Sequence, residues 1–157
     1  RYIDWLREEA EGAGVDIRLG VNADAQAVLA ERPDAVIVAT GSEVQLAVAA
    51  TAELAADGVH ARVVSMPCLE WFDAQDRGYR DTVIPPSVRA RVSVEAGATL
   101  GWWRYVGDAG RVVGVDHFGA SADPSILYRE FGLTAEDIVR AAKDSIAAAA
   151  RHLGRPW

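Results

Sequence analysis

The stretch that decides the fold is PDAVIVATGSEVQLAVAATAELAADG, running from Pro33 to Gly58. Pro33 and Asp34 punctuate the chain, and AVIVAT (Ala35–Thr40) follows as a continuous apolar run rich in β-branched residues. Such a run suits a central parallel strand covered on both faces. Gly41 and Ser42 then make a turn, and Glu43 to Asp57 reads as a long alanine-rich helix closed by Gly58. Ser42 with Gln45 three residues on has capping-box spacing. A strand, a tight turn and a helix in this order form half of a βαβ unit.

Downstream the pattern repeats. ARVVSMP (Ala61–Pro67) reads as a second buried strand. CLEWFDAQDRGYRDTVIPP (Cys68–Pro86) predicts one short helix and then a loop fixed by Pro85 and Pro86. ARVSVEAG (Ala90–Gly97) is a third strand, WWRYVG (Trp102–Gly107) a short helix or turn, and RVVGVDHFG (Arg111–Gly119) a fourth strand. Ser121 and Asp123 are helix-start signals, with Pro124 in the first turn. Thr134 to His152 reads as a long helix, capped by Thr134 with Asp137 three residues on.

Upstream, Tyr2, Ile3, Leu6 and Ala10 lay one apolar stripe along Tyr2–Gly12, and Gly12 and Gly14 end that helix. VDIRLG (Val15–Gly20) alternates like a half-buried strand at the sheet edge, and NADAQAVLAE (Asn22–Glu31) reads as a short helix capped by Asn22 or Asp24. Alternation of strand and helix over the whole length predicts an α/β three-layer sandwich. It should have a mostly parallel sheet of about five strands with helices on both faces. The chain reads as a single domain, 1–157, with 151–157 as a tail.

Bulk composition narrows the function classes. The chain has 157 residues, the length of one domain. Its formal charge is −7, which disfavours a nucleic-acid backbone as partner. Arg89 and Arg91, at alternate positions, read as a solvated strand edge. No apolar run approaches the roughly 18 residues needed to span a bilayer, so no membrane partner is expected. Cys68 is the single cysteine, which excludes an intrachain disulfide and points to a reducing, cytoplasmic setting. The first residue is Arg1 instead of methionine, so the expectation is either a fragment or a chain whose start is missing.

Few residues carry chemistry. Gly41 and Ser42, at a helix N-terminus, are the weak candidates for an anion site. Plain capping by Ser42 is the favoured reading, because Glu43 in the first turn opposes a bound phosphate. GAG (Gly12–Gly14) follows a helix instead of a strand and fails the context of a dinucleotide fingerprint. Asp116 and His117 share the end of a strand, where α/β folds place ligands. Neighbours along a strand point to opposite faces, so they are not expected to pair, and His117 reads as a surface or interface residue. Cys68, with no base in view, reads as a small buried hydrophobe. Glu95 closes its strand amid apolar residues and suits either a contact with a neighbouring domain or a structural ion pair. Trp102, Trp103 and Tyr105 are interface candidates, since large aromatics in loops at sheet ends are enriched there. Adjacent Trp102 and Trp103 cannot both point inward from one helix face. For Trp71 and Phe72, core and interface are balanced.

From about Pro33 to about Ala150 the phrases PDAVIVATGSEVQLAVAA, ARVVSMPCLEWFDAQD, YRDTVIPPSVRARVSVEAGATLGWWRYVGDAGRVVGVDHFGASAD and LYREFGLTAEDIVRAAK closely resemble the transketolase C-terminal domain. Several long phrases in the right order make the resemblance specific. The front, about Arg1 to Arg32, instead resembles a piece of a flavin-dependent oxidoreductase of the old-yellow-enzyme-related type, carried by WLREEAEGAGVDIRLG followed by ERPDAVIVATG. Together these suggest a chimera joined near Pro33 to Gly41.

The resemblance implies a non-catalytic, structural domain of a ketol-group transferase. In the complete enzyme, thiamine diphosphate and its magnesium sit between the other two domains. The GDG-type cofactor motif has no match in this chain, so no cofactor, metal or catalytic residue is carried over. Expected partners are the other domains or subunits of a transketolase-like dimer, with self-association if that surface is uncovered. The rival readings are a redox or nucleotide-binding module inherited from the flavoprotein-like front, and a chimeric fold with no ligand. If Tyr2, Ile3 and Leu6 are core, deleting Arg1–Ala13 lowers the melting temperature; an unchanged melt removes that helix from the fold.

Overall fold

The computed structural model describes residues 32–153. The expected front helix, the strand VDIRLG, the helix after it and the last residues of the tail lie outside the described residues. The described strands are β1 (Ala35–Ala39), β2 (Ala61–Ser65), β3 (Arg91–Val94) and β4 (Arg111–Val113). They form one parallel sheet in the order β2-β1-β3-β4. The helices are α1 (Glu43–Ala56), α2 (Leu69–Asp73), α3 (Arg77–Val83), α4 (Trp103–Val106), α5 (Pro124–Glu130) and α6 (Ala135–Leu153), with a 3₁₀ turn at Leu100–Trp102.

β1 is the central strand the sequence predicts. All five of its residues are fully buried, and it pairs with β2 on one side and β3 on the other. Its side chains alternate between two cores, as the two-residue period of a strand requires. Ile37 and Ala39 join Val92 and Val94 of β3 under α1 and α6, where Ala47, Ala50, Leu54, Ile138 and Ala142 pack. Val36 and Val38 point the other way, toward Met66, Ile84, Trp102 and Tyr105 beneath α2, α3 and α4. Helices on both faces of a parallel sheet make the three layers.

Several local expectations are corrected. β2 is an edge strand, with only Val64 buried, because nothing pairs with its outer side among the described residues. β4 stops at Val113 instead of reaching Gly119. At Gly114 a Cβ would lie 2.8 Å from the Gly97 carbonyl oxygen, so the chain there presses against the loop after β3. Cys68–Pro86 holds two helices, because Asp76 accepts a hydrogen bond from the Tyr79 amide and starts α3. Arg91 is no solvated edge residue: it is half-buried, and its guanidinium donates to the carbonyls of Val88, Pro85 and Tyr105. α6 continues through Leu153, past the expected start of the tail.

The helix-end signals divide. Asp123 caps α5 by accepting from the Ser125 amide, with Pro124 opening the helix. Thr134 and Asp137 exchange hydrogen bonds at the start of α6 as a capping box. Gly58, at φ +75°, closes α1 as expected, since a left-handed residue costs glycine least. Ser42 makes no side-chain capping bond; its hydroxyl is taken by Glu43.

Two buried side-chain polar atoms among the described residues lack a partner, Arg80 Nε and Ser93 Oγ. Ser93, in the middle of β3, is fully buried and its hydroxyl has no hydrogen-bond partner. An unsatisfied buried polar group costs about 1–3 kcal/mol. Ser93→Ala is therefore expected to raise stability by about 1 kcal/mol in denaturant unfolding; a loss of that size would mean the hydroxyl has a partner in solution.

Candidate functional site at the switch point of the sheet

The strand order fixes where a site would lie. The chain leaves β1 toward α1 on one face and leaves β3 toward the 3₁₀ turn and α4 on the other. Adjacent strands whose connections part to opposite faces open a crevice at their carboxyl ends, the usual ligand position in parallel α/β sheets.

Thr40 and Gly41 follow β1, and Glu95 follows β3. The Thr40 hydroxyl donates to Glu95 across the crevice. Gly41 takes φ +51°, which turns the chain so that Glu43 opens α1. Glu43 is 4% exposed, an unusual depth for a carboxylate. Its Oε1 accepts from Ser42 Oγ at 2.8 Å and from the Tyr128 hydroxyl of α5 at 2.5 Å. The two hydroxyls lie 3.1 Å apart. Each has one proton, so with both given to Glu43 the third side of the triangle is a plain contact. The hydrogen bond to Glu43 raises the Tyr128 phenol above its ordinary value, assisted by burial and the nearby carboxylates and opposed by Ser42.

A second clasp lies beside the first. Asp116 accepts from the Thr99 amide at 2.8 Å and from its hydroxyl at 2.7 Å. These bonds hold the carboxyl of Asp116 below the usual range. The Val115 amide donates to Gly97 O at 2.8 Å, tying the loops after β3 and β4 together. The mouth of the sheet is thus closed by its own hydroxyls and carboxylates. Two acidic groups, Glu43 and Glu95, face the turn where an anion would bind, and Gly41–Ser42 offers it no cation.

The other sequence candidates fall in separate places. Trp102 and Tyr105 are buried in the core, at 5% and 6% exposure, and Tyr105 donates to Asp73 at 3.0 Å. Trp103 is about half exposed, at 49%. His117 is exposed, its ring 4.7 Å from that of Phe131, and its Nδ1 lies 2.9 Å from Phe118 O. It stands beyond the end of β4, and Asp116 turns to Thr99 instead of to it. Trp71 is exposed while Phe72 packs on the core. Cys68 is only partly buried and its thiol faces Glu70 Oε2 at 3.3 Å, which corrects the expectation of an enclosed hydrophobe. The roles of Tyr128 and Thr40 escaped sequence reasoning, since their partners Glu43 and Glu95 lie far along the chain.

The sequence matches the family described as "Transketolase-like TK C-terminal domain" over residues 21–134. The chain belongs to that family. This TK C-terminal domain is 56% identical over 116 residues to the transketolase of Mycobacterium tuberculosis H37Rv. That alignment covers 74% of the chain and 17% of the relative. Transketolase from Leishmania mexicana superposes with a TM-score of 0.69 at 46% identity, over 74% of this chain and 17% of that one. The split-gene transketolase solved as an inactive β4 tetramer aligns at 26% identity and a TM-score of 0.56, covering 74% of this chain and 40% of its own. The chain therefore spans about a sixth of the curated relatives it matches. The matched span begins at residue 21 and runs across Pro33–Gly41. The comparisons give no support to a flavin-oxidoreductase-like front or to a join in that stretch.

Tyr128→Phe removes one of the two donors to Glu43 and is expected to cost about 1–3 kcal/mol. Because the folded phenol is raised, its contribution is complete below about pH 10 and lost as pH rises through the folded value. Urea unfolding of both proteins between pH 7 and 11 checks this: the gap should narrow at the alkaline end.

Proposed function

We propose that this chain is the non-catalytic assembly domain of a transketolase-type, thiamine-diphosphate-dependent ketol transferase, and that it turns over no substrate alone. The observation that carries the reading is the closed mouth of the sheet. Where an α/β fold of this order would hold a ligand, Thr40, Ser42 and Tyr128 spend their protons on Glu43 and Glu95. The arrangement is a poor fit to a diphosphate, whose charge the two carboxylates would repel. Among the described residues no group of three His, Cys, Asp or Glu side chains could hold its metal. On this reading thiamine diphosphate and magnesium are held by the rest of the complete enzyme.

The partner surface is best placed on the α2–α3–α4 layer. Trp71, Tyr79 and Trp103 are exposed on its helices, and Leu100 is exposed on the 3₁₀ turn before α4. Tryptophan and tyrosine are enriched among residues that dominate interface energies. The inactive tetramer of the split-gene transketolase supports assembly as a property of such chains. The partners are other transketolase domains or subunits, and the compartment follows the cytoplasmic setting inferred from Cys68. Among the described residues no helix is long and apolar enough to cross a membrane.

A transketolase assay with thiamine diphosphate and magnesium, beside a cofactor titration, tests the proposal. No turnover and no cofactor binding are expected; turnover by the chain alone overturns it. Sedimentation of the chain and of Trp103→Ala tests the surface, with self-association expected to weaken in the variant.

A further inference from the structure

A cavity of about 620 Å³ opens among α2, α3 and α4, away from the switch point. Four guanidinium groups line it, from Arg77, Arg80, Arg91 and Arg104, against two carboxylates, Asp73 and Asp81. Both carboxylates are engaged. Asp73 is paired with Arg104 and also accepts from Tyr105, and Asp81 accepts from Arg77 Nε at 3.3 Å. The lining therefore carries two more positive than negative charges, in a chain whose formal charge is −7.

The two remaining arginines differ in what they can offer. Arg91 spends its guanidinium on three backbone carbonyls, so its charge is held in place but neutralised by no carboxylate contact. Burial lowers its pKa, and Asp81 opposes that only through space. Arg80 contributes a donor: its Nε is sealed from solvent and has no hydrogen-bond partner. None of the ion pairs among the described residues engages Arg80, so its guanidinium is left to direct donors at an anion in the cavity.

We propose that this cavity is a binding site for a tetrahedral oxyanion of the phosphate class, received by the Arg80 guanidinium in the field of Arg91. A dianion matches the two uncompensated charges, and guanidinium groups bind phosphate through directed, charge-assisted hydrogen bonds. The outer pairs, Arg77–Asp81 and Arg104–Asp73, fix the edges of the bowl. Trp71 and Trp103 are not among the lining residues, so anion binding does not depend on the assembly reading.

The test is a titration of the 157-residue chain with inorganic phosphate, at ionic strength held constant with chloride. It is followed calorimetrically and by the ¹⁵N–¹H signals of the arginine Nε groups. Saturable binding with a shift of the Arg80 signal is expected. Arg80→Gln should weaken it about tenfold or more, the worth of one charge-assisted hydrogen bond. Asp81→Asn removes a competing carboxylate and should tighten it several-fold, a gain that lost structure would not produce. Arg89→Gln, which breaks the Arg89–Asp108 pair outside the cavity, should leave it unchanged. Phosphate binding no better than chloride overturns the site, as does an affinity that Asp81→Asn fails to raise.

Discussion

Everything in this domain is arranged around the burial of β1. A strand with no exposed residue must have partners on both edges and cover on both faces, because each unpaired backbone group or uncovered side chain there would face a mismatch with no water to relieve it. β2 and β3 supply the edges, and the hydrogen bonds continue past the strand itself, from the Val36 amide to Ala90 and from the Met66 amide to Ala39. α1 and α6 supply one cover; α2, α3 and α4 supply the other. The right-handed crossovers that parallel pairing demands then set the strand order, and with it the crevice between β1 and β3.

That crevice is where the chemistry of the fold would ordinarily be looked for, and it is occupied by internal bonds. Glu43 is buried but not isolated, and its two donors come from opposite ends of the architecture: Ser42 from the first turn and Tyr128 from α5. The carboxylate thereby anchors the long connection after β4 to the start of α1. The uncompensated positive charge lies instead on the far layer, where Arg80 and Arg91 face a cavity. The molecule separates an acidic, closed mouth from a basic, open bowl.

How much of this was legible in the sequence depended on whether a feature was local. β1 and α1 could be read because a β-branched apolar run followed by an alanine-rich stretch has few other solutions. The capping box at Thr134–Asp137 could be read because both partners sit in one turn. The same spacing at Ser42–Gln45 misled, since Glu43 competes for the Ser42 hydroxyl. Trp102 and Trp103 had to part, and they do, but which one enters the core is decided by the cluster Trp102 joins with Val36, Val38, Met66 and Ile84, all outside WWRYVG. β4 ended early because Gly114 meets Gly97, a pairing of residues distant along the chain. Tyr128 on Glu43 and Arg80 in its cavity were beyond reach for the same reason.

α6 has a further implication through Ser145. This serine is fully buried, accepts from the Arg91 amide at 2.9 Å and donates to Ala109 O at 2.9 Å, while Ile138 and Ala142 fill the core above β1 and β3. The helix that closes one face of the sandwich comes after every described strand in the chain. During synthesis α1 can cover its part of that face, over β1 and β2, but the part over β3 and β4 stays bare until α6 arrives. The domain is therefore completed by the last of its described helices, and the β3–β4 side of the nascent sheet must be shielded from other chains until then.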